Sequence, residues 1–268
     1  MRFGYCMSVG FAKGEPFAEF LFDTVADAGF DYVELPLSGI HTLDSQQFML
    51  LERRLATIPC RACNLFFPPE LKIVGSDMDI DGIHKYLGKM LPVAASLGVE
   101  TLVFGNGGAR KIPDGAERAD ICNNLRTLVG IMEEYAAKQN IVIAVEPLNS
   151  LESNVLNSYG EAAGITRGLA FVNTMVDSYH VYMDHQDYAD VLDDPGQLRH
   201  LHTANPVGRY LPALSDDASL YAPFVAAVKR LGYADKISVE GGIRAAEHVD
   251  ISNEIAEALL FLTKTFGV

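Results

Sequence analysis

Residues 101–146 read TLVFGNGGARKIPDGAERADICNNLRTLVGIMEEYAAKQNIVIAVE, and this stretch decides the fold. Thr101 to Phe104 is a short β-rich run that stops at Gly105-Asn106-Gly107-Gly108. Ile121, Leu125, Leu128, Met132 and Tyr135 then recur near the helical spacing, which gives a long helix one apolar face. Ile141 to Glu146 (IVIAVE) is β-rich again. A strand, a long helix and a second strand make a crossover unit with parallel strands.

The same alternation runs outward in both directions. Upstream, Arg2–Cys6, Asp31–Leu35 (DYVEL) and Cys60–Phe66 read as strands. Between and after them, Phe17, Leu21 and Val25, then Phe48–Leu55, then Ile83–Leu97 read as helices. Downstream, the strands are Val172–Asp177, Leu198–Thr203 and Lys236–Glu240. The helices are Glu161–Leu169, Tyr188–Leu192, Leu220–Leu231 and a closing one lined by Ile255, Leu259, Leu262 and Phe266. Eight β units alternating with eight α units in about 250 residues predict a closed (β/α)₈ TIM barrel, one domain over 1–268. An open dinucleotide-binding sheet would carry a G-x-G-x-x-G after its first strand. Here that strand runs into Cys6-Met7-Ser8. No linker, low-complexity tract or short-period repeat interrupts the pattern.

Composition bounds the function. Of 268 residues, 49% are hydrophobic, enough for a large core. The formal charge of −14, from 35 acidic and 21 basic residues, repels nucleic acid and favours capture of a divalent cation. Four cysteines (Cys6, Cys60, Cys63, Cys122) are too few for a disulfide scaffold in a chain of this size. Met1–Gly10 has no signal-peptide pattern, and no apolar run approaches the roughly 20 residues of a membrane helix. The expectation is a cytoplasmic enzyme with no membrane partner.

Active sites of such barrels lie at the C-terminal strand ends. There the chain carries Glu146 before Pro147, then Asp177, His202, and Glu240 before Gly241-Gly242. Three carboxylates packed together repel one another, and a divalent cation resolves the repulsion. The oxygen-rich set suits one Mn²⁺ first, or Mg²⁺, with Co²⁺ and Zn²⁺ open because of the imidazole. A lone strand-end glutamate is more often a solvated cap, so the weight falls on four adjacent strands converging. His200 shares a strand face with His202, which leaves open that one of the pair only packs or supports.

At VEPLN (Val145–Asn149), VDSYH (Val176–His180), LHTANPVGR (Leu201–Arg209) and SVEGG (Ser238–Gly242), the chain resembles the sugar-phosphate isomerase/epimerase family of xylose-isomerase-like barrels, which includes ketose 3-epimerases. The resemblance covers most of the chain. It implies a Glu146, Asp177, His202, Glu240 metal set in which Glu146 and Glu240 are also the acid/base groups. It further implies substrate contacts from Glu152, six residues after Glu146, and from His180, three after Asp177. Asp184 rivals Asp177, but Asp187 would then stand where the histidine belongs. Arg209 resembles the substrate arginine, although the stretch after His202 is one residue longer than the family's. Homodimers or tetramers are the oligomers the resemblance implies.

The implied reaction is metal-dependent sugar or sugar-phosphate isomerisation or epimerisation, by α-proton abstraction through a metal-stabilised enediolate. Three alternatives compete. One is a metal-dependent lyase or dehydratase acting on a cyclic polyol ketone or a glycoside. Another is an apurinic-site endonuclease, which needs several zinc ions and more rim histidines. The third is a non-enzymatic sugar-binding protein. Cys60-Arg61-Ala62-Cys63 is a C-x-x-C on a strand without a partner pair and is read as packing. GNGGAR (Gly105–Arg110) reads either as a phosphate cradle or as a plain barrel turn. His41, His84, His185 and His248 are read as surface or structural.

Overall fold

Parallel strands need a crossover between them, and the helices of this chain supply it. The computed structural model describes residues 1–7, 17–112, 115–245 and 248–267. Its strands are β1 (Arg2–Cys6), β2 (Tyr32–Pro36), β3 (Cys60–Asn64), β4 (Thr101–Phe104), β5 (Val142–Val145), β6 (Val172–Asp177), β7 (Leu198–Thr203) and β8 (Lys236–Val239). Each pairs with the next, and β8 closes in parallel onto β1, with Arg2 opposite Lys236 and Tyr5 opposite Val239. The result is the single-domain TIM barrel that the alternation predicts.

The longer helices fall where the apolar periodicity places them: α1 (Phe17–Ala28), α3 (Ser45–Leu55), α4 (Ile80–Ser96), α6 (Arg118–Gln139), α7 (Tyr159–Thr166), α10 (Ala222–Leu231) and α11 (His248–Phe266), and the short α9 (Ala189–Asp193) lies at the expected Tyr188–Leu192. Asp44 starts α3 with a capping box, accepting from the Gln46 and Gln47 amides while the Gln47 side chain returns to its own N–H. Asn140 ends α6 in the left-handed conformation at φ 54°, which a short polar side chain tolerates. Three short helices go beyond the sequence reading: α2 (Leu37–His41), α5 (Gly107–Arg110) and α8 (Ser178–Met183). They follow β2, β4 and β6 at the C-terminal end of the barrel. Strand ends also differ by one or two residues. Glu146 and Glu240 stand just past β5 and β8, and β3 stops before Leu65, whose φ of 43° breaks the extended run. No helix among the described residues is long and apolar enough to cross a membrane.

Outward strand side chains such as Val33, Leu35, Ile143 and Ile237 pack against helix residues including Phe22, Leu51, Leu87, Leu128 and Ile255, all fully buried. The barrel interior has its own small cluster of Val103, Ala144 and Met175. Beside it the Tyr32 ring fills the axis, and only a glycine at position 4 leaves room, since a Cβ there would lie 2.2 Å from that ring. The N-terminal mouth is closed by charge. Arg2 and Lys236 lie 2.8–3.1 Å from carboxylate oxygens of Glu100 and Asp235. The opposite mouth holds carboxylates in excess, and there the chemistry collects.

Candidate active site at the C-terminal mouth

Adjacent strands deliver Glu146, Asp177, His202 and Glu240 to one point. One donor atom from each lies within 4.8 Å of the others. A register shift between Thr174 and Val176 in the β6–β7 pairing leaves Asp177 opposite His202. Asp177 Oδ1 accepts from the Tyr179 amide at 2.9 Å as the N-cap of α8, and this turns Oδ2 inward. His202 Nδ1 sits 3.3 Å from Glu146 Oε1 and 3.4 Å from Glu240 Oε2. Glu146 has room for its carboxylate only because residue 105 is glycine: a Cβ there would lie 1.8 Å from Oε2.

Behind these four lies Glu34 of β2, fully buried. His202 Nε2 and His200 Nε2 each donate to it at 3.0 Å, and the Ser238 hydroxyl does so at 2.6 Å. The Tyr32 hydroxyl lies 2.8 Å from Ser238 and extends the chain down the axis. Since Nε2 of His202 is committed to Glu34, Nδ1 is the nitrogen that faces the cluster.

The open side carries the remaining sequence-predicted residues. His180 Nε2 lies 3.5 Å from Asp177 Oδ2 and 3.9 Å from Glu146 Oε1. Arg209 Nη2 donates to Glu240 Oε2 at 2.6 Å and approaches Asp177 Oδ2 at 3.6 Å, while Nη1 reaches Glu152 Oε1 at 3.3 Å. The guanidinium stacks over Tyr179, 4.8 Å from the ring centroid. The loop after His202 turns through two left-handed residues, Gly208 and Arg209, at φ 87° and 53°. The loop is then tied to the segment after β8 by hydrogen bonds from the Leu211 amide to the Gly242 carbonyl and from the Gly242 amide to the Arg209 carbonyl. Asn64 holds the other oxygen of Glu240 at 3.0 Å.

The two glutamates differ electrically. Burial raises the pKa of Glu146, and the negative charge of Glu240 adds to the rise against the pull of His202. Burial opposes a charge on Glu240 too, but His202 and Arg209 bring its pKa down to about 2. Glu34, despite burial, is held well below the carboxylate range by His202 and His200. Burial lowers His202, yet Glu34 foremost holds it well above the ordinary histidine value. A cation taken up at Nδ1 would exchange for the proton there.

Residues 22–265 match the model of the xylose isomerase-like TIM barrel family. The chain belongs to this family. The xylose isomerase-like barrel is 26% identical over 235 residues to a ketose 3-epimerase of Arthrobacter globiformis, covering 84% of this chain and 78% of that one. It is 28% identical over 171 residues to 3-dehydro-D-guloside 4-epimerase of Escherichia coli (strain K12), covering 63% and 62%. Its backbone superposes on a D-psicose 3-epimerase with D-tagatose from Clostridium cellulolyticum H10 with TM-score 0.82 at 17% identity, over 99% of both chains.

Within this xylose isomerase-like barrel, Glu146 Oε1, Asp177 Oδ2, His180 Nε2 and His202 Nδ1 are buried with no hydrogen-bond partner among the described residues. Leaving such atoms unpaired costs about 1–3 kcal/mol each, so a cluster of them marks the place of an external partner. Two of these atoms are carboxylate oxygens, and His202 Nδ1 is an imidazole nitrogen with its tautomer fixed from behind. With Glu240 they form a donor set that fits a divalent cation. Asp184 stays outside: its carboxylate accepts from the amide and hydroxyl of Ser150 at 2.8–3.0 Å.

GNGGAR forms no open anion cradle. Arg110 turns inward, fully buried, and donates to the carbonyls of Phe104 and Glu146. Asn106 pairs with both backbone groups of Phe67. The Cys60 and Cys63 sulfurs lie 3.8 Å apart, both buried, and belong to no metal-type cluster among the described residues. His41 lies 3.3 Å from Lys89 and His84 lies 3.1 Å from the Tyr135 hydroxyl, both away from the site. The side chain of His248 lies outside the described residues.

Four contributors escaped the sequence reading: Glu34, Asn64, Asn149 and Arg110. Glu34 had a usable signal, a lone charge inside the otherwise apolar run Tyr32–Pro36.

Proposed function

We propose that the protein is a sugar epimerase that inverts a carbon beside a carbonyl, with Glu146 and Glu240 as the two proton-transfer groups. The observation that carries this reading is the opposed electrostatics of the two glutamates at one mouth. Burial pushes the Glu146 carboxyl up, while His202 and Arg209 draw Glu240 down. Pairs of titratable groups pushed apart in this way suit acid and base roles. The names of the similar proteins direct attention to ketoses and 3-dehydro glycosides.

In this reading Glu146, Asp177, His202 and Glu240 would hold one divalent cation, Mn²⁺ first. When bound, it supplies positive charge that stabilises the substrate oxygens as the neighbouring carbon loses its proton. The chain's own groups do the rest. Ionised Glu240 takes the proton on one face of the sugar, and Glu146 returns one on the other. His180 Nε2, Arg209 and Glu152 hold the sugar oxygens. Tyr179 supports Arg209 from below.

The test is turnover in D₂O with added Mn²⁺, using free ketoses, 3-keto glycosides and their phosphorylated counterparts. An epimeric product carrying deuterium at the inverted carbon supports the proposal. Loss of water from the substrate would replace it with a dehydratase. Absence of exchange in every sugar would overturn it. The charge of −14 works against a phosphodiester substrate.

A further inference from the structure

We infer that Asn149 is a positioning residue that fixes the imidazole proton of His180 on Nε2, the nitrogen facing the site. Asn149 is buried beside the β5 end. Its side-chain Oδ1 accepts from the amides of Leu151 at 3.1 Å and Glu152 at 3.2 Å. Those two donors settle which end of the amide is oxygen, because an NH₂ group cannot accept from them. The NH₂ end therefore points the other way, to Glu152 Oε1 at 2.9 Å and to His180 Nδ1 at 2.8 Å. A nitrogen that receives an N–H carries no proton of its own. The ring proton of His180 then lies on Nε2, which is buried, unpartnered among the described residues and directed between Asp177 and Glu146.

The consequence is a ring prepared as a donor before any ligand arrives. It presents N–H to an oxygen, where the opposite tautomer would present a lone pair and repel it. The same amide holds Glu152 with its second hydrogen, so one side chain orients two groups on the open side. That the acceptor is a sugar oxygen rests on the epimerase reading. The proton's position does not.

The experiment is ¹H–¹⁵N long-range correlation NMR on protein labelled at histidine nitrogens, metal-free and with diamagnetic Mg²⁺. His180 is assigned by its disappearance in His180→Gln. The wild-type ring is expected to show an unprotonated Nδ1 and a protonated Nε2. Asn149→Asp offers only acceptors and should draw the proton to Nδ1, while Asn149→Ala should give a mixture of tautomers. In turnover, Asn149→Ala should lower kcat about 10–100-fold with a smaller change in KM and unchanged metal content. Asn149→Asp should be slower still. A wild-type ring with its proton on Nδ1, or protonated on both nitrogens, would overturn the inference whatever the variants do. So would unchanged ring signals in Asn149→Asp. The expected ring signals in a protein that turns over no sugar would sink the epimerase reading and leave Asn149's role intact.

Discussion

Two histidines near the same carboxylates have different hydrogen-bond partners, and those partners separate their roles. His202 gives Nε2–H to Glu34 and leaves Nδ1 for the cluster, whereas His180 keeps Nε2–H for the open side. His180→Ala is therefore expected to retain metal while losing on the order of 10²–10³ in rate, the scale of a single donor to a developing oxyanion. Glu146→Gln should abolish formation of the deuterated epimer, because an amide cannot return a proton on the second face, and keep part of the metal through its remaining oxygen. Metal analysis and deuterium exchange on the two purified variants check both outcomes. Loss of metal in His180→Ala with retention in His202→Ala would reverse the assignment. At this scale the strand-end residues were legible because the fold dictates where strand ends point. Glu34 and Asn149 were not, since their meaning depends on partners brought close by the closed barrel: Glu34 and His200 are 166 positions apart, and Asn149 and His180 are 31 apart.

The strands and long helices were readable because apolar periodicity needs several turns to declare itself. Four- to six-residue helices such as α5 and α8 show no period, and so Arg110 and the cap at Asp177 became visible only in the fold. The β4 turn illustrates the gain. Its glycines make way for the β5 loop, with Gly105 against Glu146, and Gly107 against Leu148 and Glu152. Gly105→Ala is expected to leave the circular dichroism spectrum unchanged yet displace the Glu146 carboxylate and cut turnover by about 10-fold or more, the scale of a disturbed supporting contact. Wild-type turnover in that variant would contradict the packing argument. At the other mouth, Glu100 and Asp235 titrate below their ordinary values: burial opposes their charge, but hydrogen bonds from Arg2 outweigh it, with Lys236 adding to the effect. Carboxyl pKa values that fall on folding contribute stability above the unfolded values and lose it as pH drops through the folded ones. Melting temperature should therefore decline on acidification below about pH 4.5, the ordinary glutamate value. The carboxylates are partly exposed, so each pair contributes only about 0.2–1 kcal/mol after solvent screening. Lys236→Met should flatten the decline, and an acid slope identical to wild type would remove this network from the explanation.

The whole molecule sorts its charge by position along the barrel axis. The N-terminal mouth pairs Arg2 and Lys236 with two carboxylates, whereas the C-terminal mouth gathers Glu34, Glu146, Glu152, Asp177 and Glu240 around Arg209 and the histidines. A chain of net charge −14 that concentrates carboxylates at one end, with oxygens unpartnered among the described residues and aimed at a common point, could hold a cation there. The direct test is the stoichiometry of Mn²⁺ binding to chelator-stripped protein by titration calorimetry, compared with Asp177→Ala and His202→Ala. The account predicts one ion per chain in the wild type, and an affinity reduced about 10-fold or more in each variant with the barrel still folded. Failure of the folded wild-type protein to bind any divalent ion, or undiminished binding in both variants, would contradict it.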